Sequence, residues 1–102
     1  MKKIVFLSSI ALIANIAFAD AKLAEKNACM ACHSIDKKIV GPAFIDIATK
    51  YATDKDAVTK LAASIKAGGS GKWGPIPMPA QAALSDADAK TLASWTLSFA
   101  KK

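Results

Sequence analysis

The segment CMACH, residues 29–33, places both cysteines and the only histidine of this 102-residue chain within five positions. Residues three apart on a helical turn point to the same side, so Cys29 and Cys32 are expected to present their sulfur atoms to one surface. His33 follows immediately and adds an imidazole beside them. The residues able to bind a metal or cofactor through sulfur or imidazole are therefore concentrated in this segment.

The pattern C-x-x-C-H is typical of a covalent attachment site for haem c. A thioredoxin-like redox site would accompany a βαβ pattern, which the sequence lacks. A structural zinc site needs four ligands, and the chain has too few cysteines and histidines to supply them. A disulfide between the two cysteines is a further alternative, but so short a loop would stabilise the fold little. We therefore predict one haem c bound through Cys29 and Cys32, with His33 as an axial ligand of the iron.

The N-terminus, MKKIVFLSSIALIANIAFAD, combines two lysines, an apolar run from Ile4 to Ala17 and an A-x-A sequence that ends at Ala19. This order is typical of a secretory signal peptide. A retained membrane anchor would need about 20 apolar residues, and polar residues interrupt this shorter run. The sequence thus predicts a cleaved signal peptide over residues 1–19 and one domain over residues 20–102, exported to the periplasm.

The predicted mature segment of 83 residues is small and basic. It keeps twelve of the 14 lysines and all eight acidic residues, so its formal charge is about +4. Lysines scattered among acids are typical of a solvated surface and not of a nucleic-acid-binding face. A domain of this size buries little surface and commonly depends on a covalent or metal staple.

Helical patterns dominate the mature segment, and no strand is clearly indicated. The last helix is expected to be capped by Ser85 and to bury a stripe made of Ala89, Leu92, Trp95 and Phe99. The sequence therefore predicts an all-α domain. The first predicted helix runs from Asp20 to about Ala31, and the pair Gly41-Pro42 is expected to break the chain before a short helix over 43–51. The other predicted helices run from a capping-box variant at Thr53 and Asp56 to the glycines 68–69, and from Ser85 to Lys101 and Lys102.

The segment GPIPMPAQ, residues 74–81, surrounds Met78 with three prolines. Prolines fix their own backbone and restrict the residue before them, so neither a helix nor a central strand can include this segment. A stiff surface connector with an incidental methionine is one interpretation. The other follows by elimination: Met1 leaves with the signal peptide, Met30 is fixed between the cysteines, and a lysine is protonated at neutral pH. Met78 is then the predicted second ligand of the iron.

Three segments in order, CMACHSIDKKIVGPAF, IKAGGSGKWGPIPMP and LSDADAKTLASWTLS, resemble small bacterial class I cytochromes c of the c-551/c-552 type. The resemblance covers essentially the whole mature segment. It implies a class I cytochrome c fold, with three to five short helices wrapped around one covalently bound haem c. It also implies axial ligation by His33 and Met78, a hydrogen bond from His33 to the Pro42 carbonyl, and one from Trp73 to a haem propionate; plain packing is the alternative for Trp73.

Two positions depart from the pattern of this family. Ser64 stands where relatives carry an arginine directed at a propionate, and Gln81 where a relative can carry an asparagine near the methionine sulfur. Both positions are expected to tune the reduction potential. Trp95 is expected to pack in the core against the first helix near Ala24 and Ala28.

The predicted function is one-electron transfer in the periplasm by a monomer that is not an enzyme. The resemblance implies redox partners such as a nitrite reductase, a terminal oxidase or a quinol-oxidising complex. Lysines near the haem edge, Lys72 first among them, are expected to attract acidic partners. The alternative is a haem enzyme or gas-binding protein with an open sixth iron site, and a third interpretation is a haem-free dithiol protein.

Overall fold

The computed structural model describes residues 19–100. The predicted signal peptide, apart from Ala19, and the terminal lysines Lys101 and Lys102 lie outside the described residues. Within residues 19–100, no helix is long and apolar enough to cross a membrane. The described part of the chain consists of helices joined by turns and loops. Two isolated β-bridges also occur there, between His33 and Lys38 and between Gly69 and Met78.

Within the described residues, the first helix, α1, covers 19–26 and ends earlier than the sequence predicted. Ala28 adopts a left-handed backbone conformation with φ of 61°, which an α-helix cannot include. The Asn27 side chain donates a hydrogen bond to the Leu23 carbonyl at 2.9 Å and closes the last turn of the helix. A short 3-10 helix, Cys29–Ala31, then carries the first cysteine. The prediction of one helix to Ala31 was wrong because the chain reverses at Ala28.

Helix α2 is Phe44–Lys50, and helix α3 is Ala57–Ala67. The predicted cap of α3 by Thr53 and Asp56 is wrong: Asp56 is the N-cap but its side chain makes no capping hydrogen bond. Instead, Asp54 Oδ1 accepts from the Asp56 N–H at 2.8 Å. The predicted stop is confirmed, since Gly68 follows the helix with φ of 70°.

Helix α4 is Asp86–Leu97, and its predicted cap is confirmed. Ser85 Oγ accepts a hydrogen bond from the Asp88 N–H at 3.1 Å. Two carboxylates in the first turn suit the positive end of the helix dipole. The helix ends at Leu97, so the predicted stripe residue Phe99 lies just beyond it and still packs against the core.

Helix α4 packs against both α2 and α3 and joins them into one core. Two loops connect the helices that form this core, one between α1 and α2 and one between α3 and α4. The buried apolar residues come from α1 to α4 and from positions next to these helices. They include Ala24, Phe44, Ile47, Tyr51, Leu61, Leu84, Ala89 and Leu92.

Candidate functional site

A cavity of about 350 Å³ opens between the two long loops. This volume lies in the range of small-molecule and cofactor sites, about 300–1,000 Å³. Its wall is mostly apolar, with core residues of α2, α3 and α4 behind it. The six residues that the sequence singled out all line this cavity: Cys29, Cys32, His33, Pro42, Trp73 and Met78.

The two cysteines are free thiols, each half-buried. Burial raises the pKa of the Cys29 thiol, and the nearby Cys32 raises it further, while a backbone hydrogen bond opposes them. A redox-active dithiol instead depends on a thiolate favoured by a lowered pKa. Cys29 therefore lacks the electrostatic setting of a thioredoxin-like nucleophile.

The imidazole of His33 is oriented by a hydrogen bond from Nδ1 to the Pro42 carbonyl oxygen, at 2.7 Å. A carbonyl oxygen only accepts, so in the neutral ring Nδ1 carries the proton and Nε2 keeps its lone pair. The neighbouring backbone fixes the same loop, since the Gly41 N–H donates to the Cys32 carbonyl at 2.7 Å. His33 is thus prepared to offer Nε2 to a metal ion.

Aromatic packing ties the His33 ring to the core. The ring stacks on Phe44, with centroids 5.2 Å apart and planes inclined by 24°. Phe44 in turn contacts the ring of Trp95 edge-on at 5.2 Å, and Trp95 meets Phe99 at 5.1 Å. Trp95 is therefore partly buried against the core, with ring contacts to Phe44 and Phe99, and it also lines the cavity. Its predicted packing against Ala24 and Ala28 stays a prediction. Nothing in the sequence indicated that Phe44, two residues after Pro42, would stack on His33.

The sequence predicted only that Gly41 helps to break the chain. In the structure, its backbone also lies against the His33 ring. A Cβ atom added there would lie 2.6 Å from His33 Cε1 and 2.9 Å from Nδ1. Real Cβ contacts are not that short, so only glycine lets the imidazole lie against this backbone. The pair Gly41-Pro42 was visible in the sequence, but the requirement for glycine follows only from the position of the His33 ring.

Met78 is attached to the end of α3 through its backbone. The Met78 N–H donates to the Gly69 carbonyl at 2.7 Å, and the Gly69 N–H donates back to the Met78 carbonyl at 3.1 Å. A Cβ atom at Gly68 would lie 2.5 Å from the Met78 carbonyl oxygen. The half-buried Met78 therefore depends both on the stiff prolines and on two glycines that the sequence indicated only as a helix stop.

Lysines contact the aromatic residues at one side of the cavity. Lys50 Nζ lies 5.0 Å from the centre of the Trp73 ring. Lys72 Nζ lies 5.3 Å from the centre of the Tyr51 ring and donates to the Tyr51 hydroxyl at 2.7 Å. Lys72, predicted to attract acidic partners, is thus also part of the cavity wall.

The two departures from the family pattern differ in position. Ser64 lines the cavity and contributes a hydroxyl group but no charge. Gln81 is not part of the lining, and its backbone N–H donates to the Ile65 carbonyl at 3.1 Å, which fixes the chain after Met78.

These residues fit haem c. Two free thiols, an imidazole with an available Nε2 and a thioether meet at one apolar cavity, and they are donors that suit haem attachment and iron ligation. In the part of the chain that the structure describes, no three His, Cys, Asp or Glu side chains form a cluster able to hold another metal ion.

Comparison with known proteins places this site in a family. Residues 20–99 match the family model of cytochrome c. Cytochrome c-552 of Nitrosomonas europaea is 57% identical over 94 residues, which cover 92% of this chain and 91% of that protein. Cytochrome c-551 of Pseudomonas aeruginosa is 50% identical over 103 residues, covering 96% of this chain and 98% of that protein.

Solved structures agree with the sequence relatives. The crystal structure of wild-type Nitrosomonas europaea cytochrome c552 matches with a TM-score of 0.75 at 58% identity, covering 78% of this chain and 98% of that one. The class 1 cytochrome MtoD of Sideroxydans lithotrophicus ES-1 matches with a TM-score of 0.68 at 29% identity, covering 81% and 95%. Within the cytochrome c family, two cysteines and a histidine in the pattern C-x-x-C-H carry one covalent haem c, so the predicted fold and cofactor are confirmed. The chain belongs to the cytochrome c family, as a small class I c-type cytochrome.

Proposed function

We propose that this chain is a periplasmic one-electron carrier in which His33 and Met78 are the axial ligands of the haem iron. The observation that carries the proposal is the position of Met78, held at the cavity by two backbone hydrogen bonds to Gly69. Bound haem c supplies an iron that is stable in both the ferrous and the ferric state. As a small c-type cytochrome, the chain has relatives named as cytochromes c-552 and c-551.

Each proposed site residue has a distinct task. His33 offers Nε2 while its Nδ1–H donates to Pro42, a bond that fixes the ring and raises its basicity. The Met78 thioether favours the ferrous state and so raises the reduction potential relative to bis-histidine ligation. The Trp73 indole N–H is the proposed donor to a propionate.

Ligation on both faces of the iron leaves no coordination position for a substrate, which supports a carrier in preference to an enzyme. The backbone clamp on Met78 also limits rearrangement of the ligands when the oxidation state changes. Both features favour the passage of an electron through the haem edge without bond making or breaking at the iron.

Exposed apolar side chains lie close to the site in sequence: Ile35, Ile39 and Val40 after His33, and Ile76 before Met78. Small redox interfaces are commonly below about 1,200 Å² and short-lived. These exposed side chains support brief docking to respiratory redox proteins, for which a nitrite reductase, a terminal oxidase and a quinol-oxidising complex are the proposed candidates. The periplasmic location is supported by the signal-peptide pattern of residues 1–19.

An absorption spectrum of the purified protein, oxidised and reduced, tests the ligation. We expect covalent haem, a thioether-to-ferric charge-transfer band, and no spectral change when carbon monoxide is added to the reduced protein at neutral pH. Rapid carbon monoxide binding would instead indicate an open sixth site and favour the enzyme or gas-binding alternative. Sequencing the N-terminus of the protein recovered from the periplasm tests cleavage after Ala19, and recovery in the cytoplasm alone would refute the location.

A further inference from the structure

Lys72 and Tyr51 form a hydrogen-bonded pair in the wall of the haem cavity. The Lys72 ammonium donates to the Tyr51 phenolic oxygen at 2.7 Å and lies 5.3 Å from the centre of its ring. Tyr51 is only 7% exposed, so core packing fixes the position of its hydroxyl group. The pair therefore places a cation at a defined point of a mostly apolar cavity.

Lys72 has no carboxylate partner in the cavity. The lining contains two lysines, Lys38 and Lys72, but no aspartate or glutamate. Asp54 lies within electrostatic reach of Lys72, yet its carboxylate is paired with Lys60 at 2.8 Å. Lys50, the other lysine at this side, lies over the Trp73 ring. Positive charge at this wall is thus not balanced by a lining acid.

Haem c brings carboxylate groups, its propionates, into this setting. A carboxylate at the edge of an apolar cavity is costly unless it is paired and hydrogen-bonded. Ser64 lines the same cavity and can donate a hydrogen bond, but it adds no charge. A cation in the wall would therefore stabilise the bound cofactor most where it meets a propionate.

We propose that Lys72, positioned by Tyr51, binds a propionate carboxylate of haem c. An ammonium group has three donors, so Nζ can keep its bond to Tyr51 and still donate to the carboxylate. Because the Tyr51 oxygen accepts from Lys72, its own O–H remains available to donate to the same carboxylate. Both groups then favour the ionised propionate. The inference depends on the haem site but is independent of whether Met78 ligates the iron.

This contact has a defined effect on the pH dependence of the reduction potential. An ionised propionate stabilises the ferric over the ferrous iron, so the potential falls as the pH rises through the propionate titration. A paired ammonium keeps the propionate ionised to lower pH. In Lys72→Met, the fall in reduction potential should therefore occur at higher pH, with about a tenfold lower proton concentration at its midpoint. At pH values above that midpoint, the reduction potential of the variant should be lower than that of the wild type.

Spectroelectrochemical titration of the haem-loaded protein between acid and neutral pH measures this shift. The matched control is Lys55→Met, which removes the same charge from a nearby exposed lysine that does not line the haem cavity. Lys72→Arg should restore the wild-type profile because it keeps the charge. Tyr51→Phe should give a smaller shift in the same direction, since it removes one donor and the group that positions Lys72.

A profile of Lys72→Met that coincides with that of the wild type, or with that of Lys55→Met, would overturn the proposal. The charge-transfer band is recorded on the same samples and should be unchanged in all variants. If that band is absent from the wild type, the ligation by Met78 fails while the comparison of pH profiles still decides the role of Lys72.

Discussion

Gly69 and Met78 exchange both of their backbone hydrogen bonds, at 2.7 and 3.1 Å, although nine positions separate them in the sequence. This pair closes the proline-rich loop onto the end of α3. Main-chain contacts therefore fix the backbone of Met78 beside the haem cavity, which the residue lines.

Met78→Ala tests the proposed ligation most directly. We expect haem to stay attached, because both cysteines remain, while the iron gains an open position and its potential falls with the loss of the thioether. Carbon monoxide should bind the reduced variant rapidly, and the charge-transfer band should disappear. Met30→Ala is the control, since Met30 is exposed and does not line the cavity. An unchanged spectrum in Met78→Ala would mean that another residue is the ligand.

Gly68→Ala should release the methionine loop without changing a ligand. The added Cβ would meet the Met78 carbonyl oxygen at 2.5 Å, and the backbone at φ of 70° and ψ of −168° is strained for alanine by about 1–3 kcal/mol. We expect a lower free energy of unfolding and faster carbon monoxide binding. The matched control is Gly71→Ala, which also has a positive φ but open space around the added Cβ. If both variants bind carbon monoxide equally fast, the contact at Met78 is unimportant.

Gly41→Ala should disturb the proximal side of the site. The added Cβ would lie 2.6 Å from the His33 ring and force it away from the position in which Nδ1 donates to Pro42. We expect a shifted absorption spectrum, a changed potential and reduced stability, with haem still covalently bound. Ile39→Ala, an exposed position in the same loop, should leave all three unchanged. A wild-type spectrum and potential in Gly41→Ala would contradict the proposed orientation of His33.

The ion pair between Asp54 and Lys60 predicts a pH dependence of stability. Hydrogen bonds from Lys60 and from the Asp56 N–H lower the pKa of Asp54 below its ordinary 3.8. Its stabilising effect is therefore present above about pH 4 and is lost as the pH falls through the lowered folded-state value. Lys60 is exposed and Asp54 is partly exposed, so solvent screens the pair and the effect should be small.

Asp54→Asn isolates that pair, because an asparagine oxygen can still accept from the Asp56 N–H. Chemical unfolding at several pH values should show a smaller stability loss in acid for this variant than for the wild type. Asp36→Asn, at another exposed carboxylate, serves as the control. Equal acid dependence in wild type and Asp54→Asn would show that the pair does not contribute.

Local sequence rules predicted the features that depend on residues close together in the chain. The spacing of Cys29, Cys32 and His33 was sufficient to predict the haem, and the Ser85 cap of α4 formed as expected. The rules failed where another element decides the conformation. Helix α1 stops before Ala28 because the chain turns there to present the first cysteine, and α3 begins with a contact from Asp54 in place of the predicted capping box.

By itself, the sequence determined the haem attachment segment, the helical class and the shortage of other donors from which Met78 is predicted as the second ligand. Tertiary structure decided which surfaces meet: Gly41 against the His33 ring, Gly69 with Met78, and Lys72 with Tyr51. These contacts join residues from different elements, and in the last two pairs the partners lie nine and 21 positions apart. Periodicity and capping report only on neighbouring turns, so such contacts follow only from the packed arrangement of the helices and loops.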